Sequence, residues 1–405
     1  MSVKVEAKPV PAHIPPDLVR EYDSFDPKNQ DDPWGFATRL LDYPRVFWTR
    51  TAQGGKDGSW VVTHMEDVRE VLQNADIFSS NDETGFSKLV GENWWLIPLE
   101  LDAPRHPKWR AIVNPLFAPN KVNALEGWIR DWCDELINRV RDRGECEFIY
   151  EFARPFPVTI ILKLLGLPLE RMDEFLEWED MLLHSGSPEI AGRGCRAMVD
   201  NMRAEIDKRR RNPGEDLISW ALQAKIDGEP VPENEILGFC MLMFIGGLDT
   251  VVSSLGFFFK HLAEHPGHQQ RLRSDPDITT EAVEEYLRAH AVVTSQRQIT
   301  RDTVLAGTAL RKGDWITVVM PSASRDPKEY PNPEVIDFDR ENKANVAFAY
   351  GPHRCLGSHL ARREMRIAFE RWMKLVPEFR IKPGTRPKLH SAGVYGVDEL
   401  FLTWR

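Results

Sequence analysis

Apolar positions recur at helical spacing through most of the chain. The pattern predicts helices over 67–73, 122–141, 158–165, 172–183, 198–211, 215–225, 232–261 and 280–290. A further long amphipathic helix covers 356–376 and is stopped by Pro377. Strand-like runs are few. Trp60-Val61-Val62-Thr63 and Ile316-Thr317-Val318-Val319 read as short strands, the second following the turn-like Lys312-Gly313-Asp314. Residues 1–20 are punctuated by Pro9, Pro11, Pro15 and Pro16 and read as a surface arm. With no repeat or low-complexity linker, the chain reads as one domain, 1–405, mainly α with a minor β region.

One apolar stretch imitates a membrane span. Over 238–259 the only formal charge is Asp249, and the length suffices to cross a bilayer. A carboxylate at the centre of such a helix is badly placed for lipid. The buried spine of a protein with no membrane role is the better reading. The acid then needs a reason, because burying a carboxylate without compensation is costly.

Composition narrows the field. Hydrophobic residues at 42% and charged residues at 28% are ordinary for a globular protein. The balance of 52 basic against 62 acidic residues leaves −10, which argues against a nucleic-acid partner. Lys208-Arg209-Arg210-Arg211 reads as a solvated helix end, where cations are favoured. Cys133, Cys146, Cys195, Cys240 and Cys355 are odd in number and show no CxxC spacing. They suit a reducing cytoplasm, and the chain does not open on a basic-then-apolar signal pattern.

The densest chemistry lies in Phe348-Ala349-Tyr350-Gly351-Pro352-His353-Arg354-Cys355-Leu356-Gly357. Glycines on both sides of the cysteine permit a tight loop and close approach to a flat ligand. The loop opens into the 356–376 helix, so Cys355 stands at a helix N-terminus, where thiolate is favoured. Such a thiolate can be a nucleophile, a redox centre or a metal ligand. A lone cysteine is by default inert and buried.

This loop resembles the Phe-x-x-Gly-x-x-x-Cys-x-Gly pattern of the cytochrome P450 superfamily, in which a cysteine thiolate ligates haem iron. Glu285-Tyr286-Leu287-Arg288 is similar to that family's Glu-x-x-Arg helix, and Ser324-Arg325-Asp326-Pro327 and Phe338-Asp339-Arg340 resemble the segments after it. Alone, Glu285 and Arg288 would be an ordinary i,i+3 pair. With Arg340 they look like the family's buried ion network behind the cysteine loop. Pro11-Ala12-His13-Ile14-Pro15, 246–252 and Leu360-Ala361-Arg362-Arg363-Glu364 look similar to the bacterial camphor hydroxylase group. Ala349 departs from the family, which usually has glycine there, and the loop is expected to survive one methyl group.

The resemblance implies a P450 fold, with one haem b between the long central helix and the cysteine loop-helix, and Cys355 as axial ligand. It implies monooxygenation, one atom of dioxygen entering a C–H bond. Asp249-Thr250 looks like the acid–alcohol pair that delivers protons, which gives the buried acid its reason. A mid-helix threonine is otherwise often a functionless back-bond to the i−4 carbonyl. Gly246 would let the helix pass close to the haem and bend there. His106 and Arg110, Arg297 and His353 are implied as partners of the propionates, and Phe348 and Gly357 belong to the haem-binding loop.

The same resemblance places Phe86, Trp94, Leu96, Ile245, Val293 and Val394 around the substrate, Trp94 standing where the camphor hydroxylases carry a tyrosine. An indole with one N–H donor replaces a phenol, so the pocket is expected to select compact hydrophobic molecules by shape. Terpenoids and small aromatics fit that description. Electrons are expected from an iron–sulfur ferredoxin and its NADH-dependent reductase, the length leaving no room for a fused one. Arg110, Arg354, Arg362 and Arg363 are expected to form a local basic patch for that partner. The protein is expected to be a cytoplasmic monomer. A peroxide-driven peroxygenase would not need the acid–alcohol pair, and a non-enzymatic haem sensor would need neither that pair nor an aromatic pocket.

Overall fold

The two runs expected as strands lie side by side. In the computed structural model, which describes residues 9–23, 26–51, 58–81 and 84–404, Ile316 pairs with Trp60 and Val318 with Val62 in parallel register. They belong to a five-stranded sheet built from β1 (Val46–Thr49), β2 (Ser59–Val62), β3 (Phe78–Ser79), β4 (Thr294–Ile299) and β5 (Trp315–Val319). The strand order is β1-β2-β5-β4-β3. β-Branched and aromatic residues fill β2 and β5, and Trp60, Val62, Ile316 and Val318 are buried with Trp48, Val68 and Ile299 in one apolar cluster.

This sheet belongs to the first of two compact units, formed by Met1–Glu83, Thr280–Cys355 and Pro387–Asp398. The described part of the proline-punctuated arm docks within it: Ile14 is buried in the sheet cluster and His13 pairs with Asp314 at 2.9 Å. The Ser324-Arg325-Asp326-Pro327 segment has a local task here. The Asp326 carboxylate accepts the Met65 N–H at 3.0 Å and the Lys328 N–H at 2.9 Å, fixing the start of the helix Met65–Gln73.

The second unit comprises Thr84–Thr279, Leu356–Arg386 and Glu399–Arg405. Its helices include α1 (Arg105–Val113), α2 (Pro119–Val140), α3 (Pro155–Leu165), α4 (Met172–Leu183) and α5 (Pro188–Arg211). α6 (Glu233–Ile245), α7 (Asp249–Glu264) and α8 (Ser358–Leu375) follow. Phe148, Phe152, Phe259 and Trp372 make a nest of stacked and edge-on rings, and Arg371–Asp134 and Arg366–Glu126 ion pairs tie α8 to α2.

The continuous helix expected over 232–261 is two helices. Gly246, Gly247 and Leu248 form a tight turn in which the Gly247 and Leu248 N–H groups reach back three residues, to Phe244 and Ile245. A Cβ on Gly247 would fall 2.3 Å from the Ile161 side chain of α3, so a larger residue there would have to displace that side chain. The pair α6–α7 is long and apolar enough to cross a membrane, but 67% of its most apolar stretch is buried inside the protein.

Candidate active site

The cysteine loop is held by backbone geometry. The Cys355 N–H donates to the Phe348 carbonyl at 2.9 Å, and the Ala349 N–H to Val346 at 2.9 Å, closing two turns in succession. Gly351 has φ of +70°, and a Cβ there would lie 2.5 Å from the Leu72 carbonyl oxygen. Both its conformation and its close approach to the helix Met65–Gln73 exclude a side chain. Ala349 sits at φ 56°, in the left-handed region that normally calls for glycine. The loop survives the departure, as expected, but with strain. Cys355 is exposed, whereas the other four cysteines are buried. Burial pushes the Cys195 thiol up to about 11 and those of Cys133, Cys146 and Cys240 higher still, so none of these four offers a ready thiolate. α8 begins at Ser358, slightly beyond the expected start.

Around this loop the first unit places His353, buried in the turn Gly351–His353, and Arg297, buried on β4 with its guanidinium donating to the Gln296 carbonyl at 2.6 Å. The ion network has the composition the resemblance implied. Arg288 grips Glu285 through two nitrogens, at 3.1 and 2.5 Å, and Arg340 adds a third bond to the same carboxylate at 3.1 Å. Glu285 and Arg288 are fully buried. Val293 and Val394 are partners in an antiparallel bridge.

The acid–alcohol pair lies in the second unit, and not in mid-helix. Asp249 and Thr250 are the first two residues of α7, where a carboxylate meets the positive end of the helix dipole. The i−4 back-bond expected of a functionless threonine is made instead by Ser254, whose hydroxyl donates to the Thr250 carbonyl at 2.8 Å. Asp249 accepts a hydrogen bond from Ser253 at 3.4 Å and stands 3.6 Å from His184 Nε2. His184, Glu179 and Arg154 form a cluster that reasoning from sequence missed. The signal available was a charge, Arg154, inside the apolar run Phe152-Ala153-Arg154-Pro155-Phe156.

His106 and Arg110 share α1, one turn apart. Burial and the neighbouring Arg110 charge push His106 down to about 4, so its imidazole is neutral at ordinary pH, and a carboxylate bound beside it would favour its protonation. Phe86, Trp94, Leu96 and Ile245 gather in the apolar core of this unit. The Trp94 indole N–H donates to Glu92 at 3.0 Å, which leaves its apolar ring surface as what it could offer a ligand. Trp95 is the more exposed of the pair. Arg363, expected in the basic patch, is engaged by Glu126 and Asn123 within its own unit. Gly246 lies in the turn before α7, where its N–H donates to the Leu242 carbonyl at 2.8 Å.

Comparison with known proteins agrees with this chemistry. The family profile described as cytochrome P450 matches residues 194–396. The probable cytochrome P450 127A1 of Sinorhizobium fredii is 37% identical, across 99% of this chain and 98% of its own length. The methyl-branched lipid omega-hydroxylase of Mycobacterium tuberculosis is 30% identical over 91% of this chain and 90% of its own. Among solved structures, cytochrome P450 CYP101C1 superposes with a TM-score of 0.88 at 32% identity, covering 98% of this chain and all of that one. The chain belongs to the cytochrome P450 family. It is a monooxygenase of the soluble bacterial type, with haem b as its cofactor. Each unit carries donors that suit this group: one exposed cysteine, a buried arginine and histidine, and the histidine–arginine pair one turn apart on α1.

Proposed function

We propose that this enzyme inserts one oxygen atom into a C–H bond of a compact hydrophobic molecule, with electrons from an iron–sulfur ferredoxin and its NADH-dependent reductase. The observation that carries this reading is the loop that pins Cys355 by its backbone and leaves its sulfur exposed. Haem supplies the activation of dioxygen and the oxygen transfer. The chain supplies the rest. Cys355 Sγ would hold the iron, and Phe348, Gly246 and Gly357 would border the group. Arg297, His353, Arg110 and His106 hold the propionates, which would lift His106 from its depressed value. Asp249 holds a proton at its carboxylate, and the Thr250 hydroxyl orders the water that receives it.

Phe86, Trp94, Leu96, Ile245, Val293 and Val394 line the substrate. With the Trp94 N–H committed to Glu92, selection rests on shape and on about 25 cal/mol per Å² of apolar burial. Monoterpenoids, norisoprenoids and small aromatics are the class favoured. The chain acts as a single-domain cytoplasmic monomer. A peroxygenase is disfavoured by the Asp249-Thr250 pair at the start of α7.

The test is reconstitution with ferredoxin, reductase, NADH and labelled dioxygen over a panel of such compounds. One labelled oxygen atom per product is expected. Cys355→His should abolish both the thiolate-type spectrum of the carbonyl complex and product formation. Asp249→Asn should slow turnover by about 10²-fold, and Thr250→Ala should divert electrons to peroxide while haem still binds. Faster product formation from hydrogen peroxide alone would overturn the electron-donor assignment. Unchanged rate and coupling in the last two variants would overturn the proton assignment.

A further inference from the structure

Three histidines with no part in the haem site meet at the end of α7 remote from Asp249. α7 stops at Glu264, and His265 leaves helical geometry with φ −129° and ψ 78°. Pro266, whose fixed φ suits a first helical position, then opens the helix Pro266–Ser274. This reversal carries His268 back to the last turn of α7. His261 Nε2 and His268 Nδ1 stand 2.9 Å apart, and the His265 ring stacks on that of His261 with centroids 3.9 Å apart. The His265 and His268 centroids are 5.9 Å apart, so the three imidazoles share one small volume. His261 and His268 are half-buried, and His265 is exposed.

The tautomers follow from the partners. His265 Nδ1 stands 2.8 Å from the His261 carbonyl oxygen, an acceptor, so Nδ1 carries the proton and Nε2 of the neutral ring keeps its lone pair. A backbone carbonyl on one ring nitrogen is the arrangement that orients a histidine to bind metal through the other. Between His261 and His268 one proton is shared, and its loss leaves two lone pairs side by side. Imidazole nitrogens held at about 2.0–2.1 Å from one ion lie about 2.9 Å apart at a right angle and about 3.3 Å apart at a tetrahedral one. The observed 2.9 Å falls in that range, and a turn of the exposed His265 ring off its stack brings in the third nitrogen. The C-terminal carbonyls of α7 favour a cation here, and Glu264 holds Lys260 at 2.8 and 2.9 Å on the same turn. Arg271, one turn beyond His268, is the opposing charge.

We propose that His261, His265 and His268 form a binding site for a divalent transition-metal ion. Imidazole ligands select zinc, copper or nickel and pass over magnesium and calcium, which take oxygen. The three rings supply the protein ligands and water completes the coordination. Binding forms the metal–nitrogen bonds and releases to solvent the proton shared by His261 and His268. The ion thereby replaces one hydrogen bond with a tie between the end of α7 and the start of the next helix. Another gathering of ligand atoms, on Glu179, Asp180 and His184, lies within 4.8 Å, but there Arg154 already takes the place of a cation, bound by both oxygens of Asp180.

The test is calorimetric titration of the haem-loaded protein, freed of loosely held metal by a chelator, with zinc, copper and magnesium chlorides. One zinc ion per chain is expected, with tighter binding of copper and no uptake of magnesium. Zinc should also raise the unfolding midpoint, since it binds the folded state. His268→Ala should weaken zinc binding about tenfold or more, the scale on which even outer partners of a metal site matter, and erase the zinc-dependent rise. The thiolate-type spectrum of the carbonyl complex should be unaltered in that variant. His265→Gln, at the exposed position, should weaken zinc likewise and guards against misfolding in the first variant. His184→Asn should bind zinc as the parent does. Parent-like affinity in either of the first two variants overturns the three-histidine site. So does a parent that takes up no zinc at one ion per chain, or a loss of zinc in His184→Asn alone.

Discussion

Two buried ion networks, one in each unit, use similar residues for different ends. In the first, all three nitrogens of the Arg288 guanidinium find acceptors. Nε and one terminal nitrogen bind Glu285, and the carbonyls of Ser324, Pro333 and Val335 take the remaining bonds. Glu285 is equally engaged, receiving Arg340 and the Asp337 N–H as well. In the second, one imidazole nitrogen faces two carboxylates, and the histidine side chain is partly exposed. A network with a donor for every acceptor has one arrangement and acts as scaffold. A network held in part by a histidine changes charge with pH, because an imidazole titrates where a guanidinium does not.

The largest effect is expected on the satisfied network. Arg288→Leu removes both bonds to Glu285 and the bonds to the Ser324 and Pro333 carbonyls, while the Val335 carbonyl keeps Arg340; this should cost about 3–5 kcal/mol. Since a guanidinium keeps its charge throughout the range, the deficit should be the same at pH 6.5 and at pH 10. Chemical denaturation of the haem-loaded variant against the parent at both values checks this. A deficit that shrinks with pH would erase the distinction between the networks.

The second effect is smaller and carries a pH signature. His184 is raised in the folded state from an ordinary 6.5 to about 10. A histidine shifted upward contributes stability that is fully present below 6.5 and is lost as pH rises through 10. Its partial exposure trims the contribution to about 1–2 kcal/mol. His184→Asn should therefore cost about that much at pH 6.5 and next to nothing above pH 10, in the same denaturation experiment. A pH-independent cost would mean that His184 acts through packing alone.

What was legible in the sequence follows the same division. Glu285 and Arg288 are three residues apart, and the cysteine loop is one continuous segment, so local spacing carries both. The parallel pairing of β2 with β5 joins distant segments, but each strand announced itself by its own β-branched residues. The acid cluster had no such mark. Arg154, Glu179, His184 and Asp249 come from three separate elements, and only packing makes them neighbours. Periodicity ran straight through the break before Asp249, and only the glycines at 246 and 247 marked it. Trp94 was placed by counting along the chain, and its Glu92 partner decides what its N–H can do.

The smallest effect returns to the loop that the satisfied network was expected to back. Ala349 holds φ 56°, and the left-handed region costs an L-residue roughly 1–2 kcal/mol that glycine does not incur. Glycine has more freedom to lose on folding, which offsets about 0.5–1 kcal/mol of the gain. Ala349→Gly should thus stabilise the protein by about 0.5–1 kcal/mol, or about 1–2 °C in the unfolding midpoint. The Ala349 N–H to Val346 bond does not depend on the methyl group, so the thiolate-type spectrum should be unaltered. The gain should also be independent of pH, like that of the scaffold it joins and unlike that of His184. A loss of stability on introducing glycine would show that the methyl group earns its place by packing against the sheet cluster, in which Ala349 takes part.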